Sequence, residues 1–413
     1  MANGKMGLWL VGARGRVGAA VAVGLAALQR DLLEDTSGLV STLPQFVDLD
    51  LPDWNDWVLG GHDVRDLAII DQAQQLVAAG VLHNPEWIAT CRRPLLRMDK
   101  CVRDGVLAGA TKSVQDMATV KIRRLREDYP TAIARVQEDL AEFVRKQKLD
   151  GLVVVNLATA EDEQSESDLP RKWADLERLM SQPRKCRLPC SSVYAIATLQ
   201  SGYPFINLSE SAGAKPAAIS QLAQERHVCH MGNGPKSMER FLKGSLVPSF
   251  VARNLIVTNS IRHRIHNFVP DLSADQSTSA AYAQRTSELI DVTKHDAMLQ
   301  GVLGYEPSTI GSRTYVAGPT ESDSGWESLH LRGFLNTPLT IQMNWKSIAT
   351  AWTAASVLDV ARFTACAQRL GITGSLEFLA SFFEQPMGVK TRDHCQHTQS
   401  LFDWARTISA ARA

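Results

Sequence analysis

The chain has 413 residues, and its 44 lysines and arginines are balanced by 44 aspartates and glutamates. At about 150 residues per domain, that length predicts two or three domains with room for a large core. Apolar types at 45% and charged types at 21% exclude intrinsic disorder, and zero net charge excludes a surface dedicated to nucleic acid or an acidic membrane.

The first residues hold a short apolar run before glycines intervene, too short for a signal peptide. No window approaches the roughly 18 apolar residues of a membrane span. Seven thinly spread cysteines predict a reduced, soluble, cytoplasmic chain. Cys186 with Cys190, and His394, Cys395 and His397, match no standard zinc spacing, so no metal is expected.

In chain order, Gly7 to Val11 reads as an apolar strand, followed by Gly12, Gly15 and Gly18 and then an Ala-rich helix from Ala19 to Leu28. A strand feeding a glycine turn and a helix is the context in which glycines cradle a pyrophosphate. They let the backbone approach closely, and the helix N-terminus presents free N–H groups. The spacing is GxxGxxG, with Arg14 where the second glycine usually falls. An ordinary strand-to-helix turn is the alternative. Trp54 to Asp66 reads as a loop and Leu67 to Ala79 as a helix. Val114 to Lys148 reads as a charged helical stretch interrupted near Pro130. Gly151 to Asn156 (GLVVVN) has the unbroken apolar run of a strand buried on both faces, and the acidic segment from Glu161 to Asp168 reads as a loop. Another turn and short strand lie between Leu199 and Asn207. Val247 to Ile261 is rich in β-branched residues and Leu339 to Met343 alternates, which predicts a mixed or antiparallel sheet. Ala349 to Leu370 is a long amphipathic helix. The alternation of strands and helices predicts an α/β fold with a doubly wound parallel sheet.

Several segments together resemble the inositol-3-phosphate synthase (myo-inositol-1-phosphate synthase) family. LVGARGRVG is similar to its glycine-rich NAD turn, and GGHDVRDLA from Gly60 resembles its "GGWDIS…NLA" block. VVVNLATAE from Val153 resembles its second dinucleotide segment. SSVYAIATLQSGYPFINLSES, Ser191 to Ser211, is close to its "S.LYA.A....G.PFIN.SP" signature. The likeness continues more weakly through HMGNGPKS, VTKHDAML and the helix after Lys346.

The resemblance implies an isomerase using NAD catalytically on glucose 6-phosphate: oxidation at C5, enolisation, intramolecular aldol closure onto C1, and reduction to 1D-myo-inositol 3-phosphate, a step of inositol biosynthesis. It implies a Rossmann-like domain over residues 1–204, completed by helices in 345–413. An inserted mixed-sheet catalytic and oligomerisation domain would span 205–344, with a homotetramer or dimer built on that sheet. Gly12, Arg14, Gly15, Arg16, Val17 and Gly18 would hold the pyrophosphate, and Asp63 the adenosine ribose. Asn156, Ala158 and Thr159 would line the nicotinamide, with Tyr194 and the substrate residues Asn207 and Ser209 between cofactor and substrate. Lys236, Lys294 and Lys346 would be catalytic, and Lys236, Ser237 and Lys243 would meet the sugar phosphate. Lysines suit stabilising oxyanions and phosphate because they are compact charges whose pKa falls on burial.

The departures are specific. The second lysine of the family's "KSGQTK" loop falls on Phe241, with Lys243 near. Asn233 and Gly234 replace the "GDD" aspartates, and the "SYNHLGNNDG" segment has no clear counterpart in RHRIHNFVPD. Lys346 falls where the late "DS" pair carries its carboxylate, and Glu384 where a third lysine belongs. Those two exchanges read as a compensating swap of charge. They leave open two alternatives: a divergent NAD enzyme on another sugar phosphate, or a silent NAD-binding homologue. Lys236 to His266 holds six cations against one anion, a local charge of +5 in the segment that would receive a phosphate.

Overall fold

The computed structural model describes residues 4–158, 169–182, 185–269 and 297–412. Among these, seven strands form one parallel sheet: β1 (Met6–Val11), β2 (Trp57–Asp63), β3 (Val102–Asp104), β4 (Gly151–Asn156), β5 (Phe205–Asn207), β6 (Cys229–Gly232) and β11 (Gly374–Ser375), in the order β11-β6-β5-β4-β1-β2-β3. A separate sheet has the order β10-β9-β7-β8, from β7 (Ile256–Phe268), β8 (Ser308–Ala317), β9 (Ser322–Arg332) and β10 (Pro338–Ser347). It is mixed: β7 pairs β8 in parallel, while β9 runs antiparallel to both β7 and β10.

The central strands are apolar throughout because both faces are covered. Leu8, Leu10, Val153 and Val155 point into one core with the helices Arg16–Leu28, Ile69–Ala78 and Ala349–Arg369. Trp9, Val11, Leu152 and Val154 point into the other, with the helices Tyr129–Gln147, Cys190–Gln200 and Ala217–Glu225. The period of two along each strand thus divides the side chains between two cores. A third core, with Val247, Phe250, Leu299, Leu329 and Leu331, joins the helices Met238–Ala252 and Ala297–Leu303 to one face of the mixed sheet.

Four sequence expectations are corrected. Trp54 to Asp66 is not a loop: it contains β2, whose glycines are dictated by packing. A Cβ on Gly60 would fall 2.8 Å from the Phe143 ring and 2.9 Å from Trp9, and one on Gly61 2.2 Å from the Leu10 carbonyl oxygen. Pro130 starts the Tyr129–Gln147 helix rather than interrupting one, with Asp128 capping the Thr131 N–H. Residues 247–252 are helical, because Val247 and Phe250 lie on the buried side of the Met238–Ala252 helix, and the strand begins only at Ile256. Finally, Phe205 is not where the sheets divide. β5, β6 and β11 all pair within the parallel sheet, and the chain leaves it after Gly232 and returns at Gly374.

Candidate active site

In open parallel sheets, ligands gather outside the carboxyl ends of the strands where the strand order reverses. Here β2 lies on one side of β1 and β4 on the other, so the crevice falls at the end of β1, at Gly12. Gly12 has φ +89, a left-handed conformation that favours glycine. Its N–H and that of Ala13 donate to the His62 carbonyl at 2.8 and 3.2 Å, fixing the turn against β2. A Cβ on Gly18 would fall 2.4 Å from the Ala13 carbonyl oxygen, so the helix is seated on the turn only because Gly18 has none. The Arg16–Leu28 helix has Gly15 as N-cap, no side-chain cap and no acidic residue in its first turn. Its first N–H groups and the positive end of its dipole therefore suit an anion. Asp63 ends β2 beside this turn, accepting the Arg14 N–H at 2.8 Å and the Arg65 N–H at 2.9 Å. Glycines shaped to admit backbone approach, a bare helix N-terminus and a carboxylate at the end of β2 fit a dinucleotide.

The cradle side chains divide by contact. Arg14 points to Asp99, with Nε 3.1 Å from Oδ1, so it offers the turn only its backbone. Arg16 bridges to the mixed sheet, 2.7 Å from Glu321 and 2.6 Å from the Val269 carbonyl oxygen. Val17 packs against the core. Tyr194 does not line the crevice as expected. It is buried among the Trp9-side core residues, its hydroxyl accepts the Val106 N–H at 2.7 Å, and burial holds its pKa well above the usual value.

Asn156, at the end of β4, is fully buried. Its side-chain Nδ2 lies 2.9 Å from Asn207 Oδ1, 3.0 Å from Ser211 Oγ and 3.2 Å from Ser209 Oγ, and its Oδ1 accepts the Ala158 N–H at 3.2 Å. Asn207 donates onward to the Ser211 carbonyl and to Asn233. This network locks together the ends of β4, β5 and β6. Asn207 and Ser209 spend their polar atoms inside it, so they shape the crevice floor rather than presenting free groups to a ligand. Ala158 sits against Gly12, whose Cβ would lie 3.3 Å from the Ala158 nitrogen.

Continuing from this floor, Gly234 donates to the Ser209 carbonyl at 2.9 Å. The strand-like segment 233–236 is clamped to residues 382–385 by main-chain hydrogen bonds: Asn233 and Gln385 exchange them at 2.8 and 3.0 Å, the Glu384 N–H donates to the Gly234 carbonyl at 2.9 Å, and the Lys236 N–H donates to the Phe382 carbonyl at 2.9 Å. Trp352 Nε1 donates to the Lys236 carbonyl at 2.8 Å. Lys236 is 8% exposed, and among the described residues no carboxylate forms an ion pair with it. Burial, with Arg240 and Arg392 nearby, lowers its pKa to about 8 against the opposing pull of Glu384. Ser237 caps the following helix through the Arg240 N–H at 3.3 Å.

Two expectations fail here. Glu384 makes no swap with Lys346: it pairs with Arg240 at 2.6 Å. Lys346 is exposed on the outward face of β10, opposite Ser324, while Ile341 and Met343 face the core. Lys243 is completely buried, 3.0 Å from both Glu239 and Glu327, and is a structural cation rather than a substrate contact. The local charge of +5 is partly offset in space, by Glu327, Glu384 and Asp323. Arg262 meets Glu239 at 3.0 Å and Arg264 pairs with Asp323, acids that include residues far along the chain. Lys294 and Thr159 lie outside the described residues, as does the loop from Glu161 to Asp168. Among the described residues no group of three metal-binding side chains occurs, and no helix is long and apolar enough to cross a membrane.

Comparison with known proteins agrees with this geometry. The family model for myo-inositol-1-phosphate synthase, an NAD-binding domain, matches residues 6–408. Over 401 residues the chain is 20% identical to inositol-3-phosphate synthase 1 of Bacteroides thetaiotaomicron, spanning 94% of this chain and 90% of that protein. A 187-residue stretch is 28% identical to inositol-3-phosphate synthase of Citrus paradisi, 44% of this chain and 36% of that one. Among solved structures, inositol-3-phosphate synthase of Caenorhabditis elegans superposes with a TM-score of 0.77 at 16% identity, over 98% of this chain and 86% of that one. A myo-inositol-1-phosphate synthase-related protein from Thermotoga maritima gives 0.71 at 17% identity, over 98% of both chains. The two structures establish the shared fold.

Proposed function

The chain belongs to the myo-inositol-1-phosphate synthase family, and from that premise we propose that it isomerises glucose 6-phosphate to 1D-myo-inositol 3-phosphate. NAD, the family's cofactor, supplies the acceptance and return of one hydride, so net oxidation is zero. Gly12, Gly15 and Gly18 hold its pyrophosphate, and Asp63 its adenosine ribose. The Asn156–Asn207–Ser209 network keeps the floor between the two ligands rigid.

The observation that carries the reading is Lys236, 8% exposed and without an ion-pair partner among the described residues, linked to the cradle through Gly234, Ser209, Asn156 and Ala158. A cation so placed stabilises oxyanions that develop on the sugar as its enolate forms and closes, and it attracts the phosphate. Incubation of the purified protein with NAD and glucose 6-phosphate tests the reading, with inositol phosphate assayed directly and NADH followed by absorbance. Inositol phosphate without net NADH supports it; NAD binding with no inositol phosphate rejects it.

The Arg240–Glu384 pair, where the family pattern carries a lysine, favours a second reading: the same chemistry on another phosphorylated sugar. Cyclisation of such a sugar without net NADH, with glucose 6-phosphate inert, would select it. We further propose a homo-oligomer assembled on the outward face of the mixed sheet. Ile261 and Ile310 stand opposite one another there, 37% and 58% exposed, and Lys346 shares the face. Light scattering of the native protein and of the I310E variant checks this, since a charge at the contact should yield monomers.

A further inference from the structure

The adenosine end of the cradle carries a residue that NAD itself does not require. In the block GGHDVR, Arg65 stands where the family pattern GGWDIS has serine. Its guanidinium lies along Asp63, with Nε 3.2 Å from Oδ1 and Nη2 3.3 Å from Oδ2. It also overhangs the phosphate turn, since a Cβ on Gly15 would meet Arg65 Nη2 at 3.0 Å. Arg14 supports it from behind, donating to the Arg65 carbonyl at 3.1 Å while its own charge is met by Asp99. The Arg65 side chain is 22% exposed and the Asp63 side chain 2%, so the arginine is the group that a ligand entering the crevice meets first.

A lone carboxylate at the end of β2 selects a nucleotide with free ribose hydroxyls, because it accepts their hydrogen bonds and repels a 2′-phosphate. Asp63 is not alone. With Arg65 beside it the local charge is cancelled, and a guanidinium is matched to bidentate contact with phosphate oxygens. We infer that Arg65 sets cofactor specificity in this chain: it turns the adenosine-ribose pocket into one that accepts a 2′-phosphate, so that NADP binds as well as NAD. The inference rests on the cradle being a dinucleotide site.

Calorimetric titration of the full-length protein with NAD and with NADP, at one fixed salt concentration, tests it without reference to turnover. The native chain should bind the two with dissociation constants within about tenfold of each other. Arg65→Ser should weaken NADP by about 10- to 150-fold, the range a charged hydrogen-bonded pair supplies, and leave NAD within about threefold. Unchanged NAD binding then serves as the control for folding. Arg65→Lys should recover part of the NADP affinity. Native preference for NAD beyond about a hundredfold overturns the inference, as does equal weakening of both nucleotides in Arg65→Ser, which would make Arg65 a pyrophosphate contact. Failure of the native chain to bind either nucleotide refutes the cradle itself, an outcome distinct from loss of selectivity.

Discussion

Replacement of Lys243 by methionine separates a buried structural cation from a substrate-binding one. The ammonium is wholly buried, 3.0 Å from Glu239 and 3.0 Å from Glu327. Glu327 is also fully buried, and apart from Lys243 its nearest donor is the Ser260 hydroxyl at 2.7 Å, while its other oxygen lacks a hydrogen bond. Methionine keeps the volume but strands that carboxylate. Removing one partner of a buried pair costs about 3–5 kcal/mol. At roughly 2–4 °C per kcal/mol for a unit of this size, the melting temperature falls on the order of 10 °C. The pH dependence gives a second readout. Burial raises the Glu239 pKa, but Lys243 first and then Arg262 and Arg264 overcome it and hold it near 2. Its folded pKa is below the unfolded value, so the native protein has this stabilisation above about pH 4.5 and loses it as pH falls towards 2. In Lys243→Met the Glu239 carboxyl loses the largest of the charges that hold its pKa down, so the deficit narrows as pH falls below about 4.5, where the native protein loses the same stabilisation. Circular dichroism melts on both sides of that pH, with the K243M/E327Q double variant, measure both effects. A variant within about 1 kcal/mol of native, or a deficit unaltered by pH and by the second substitution, refutes the reasoning.

Four further outcomes follow from the geometry. Lys236→Ala should lower kcat/KM by at least about a hundredfold with little change in melting temperature. Because the charged form stabilises oxyanions, native activity should fall as pH rises through about 8, where the amine titrates; activity climbing steadily to pH 9.5 would contradict a cationic role. Gly12→Ala forces φ +89 on an L residue and sets a Cβ 3.3 Å from the Ala158 nitrogen, so dinucleotide affinity should fall at least about tenfold in a calorimetric titration. Asp359 is buried, which raises its pKa to about 6 although it accepts the Val40 and Ser41 N–H groups at 2.8 Å each. A raised acid contributes stability below pH 3.8 that is lost as pH rises through 6, so Asp359→Asn should flatten the melting-temperature profile between pH 4 and 6.

The parts of this fold written locally were readable in the sequence. GLVVVN is apolar enough to be central strand on its own, and the glycine turn after β1 announces its geometry by needing no side chains. β2 was not readable, because Gly60 and Gly61 are there to admit Trp9, Phe143 and the Leu10 carbonyl, neighbours that a local pattern does not contain. The valines and leucines around residue 247 signalled burial correctly but not the helix that delivers it. The site followed the same division. Asp63 ends β2 and Lys236 follows β6 by four residues, each in a recognisable block. The fate of Arg264 and of Arg240 depended on partners 59 and 144 residues away, Asp323 and Glu384. Arg65 is one letter in GGHDVR, and only the fold lays its guanidinium over Gly15.

The clamp between residues 233–236 and 382–385 also dictates an order of events during synthesis. Lys236 emerges from the ribosome 146 residues before Phe382, an interval of roughly 7–30 s at 5–20 residues per second. For most of it the Arg16–Leu28 helix also lacks its packing partner, Ala349–Arg369, and β6 lacks its neighbour β11. The nascent chain therefore carries a nearly complete sheet with one apolar flank bare until translation is almost finished. A prematurely terminated product would retain the glycine turn while exposing that flank, making it a substrate for chaperones and proteases rather than a partly active enzyme.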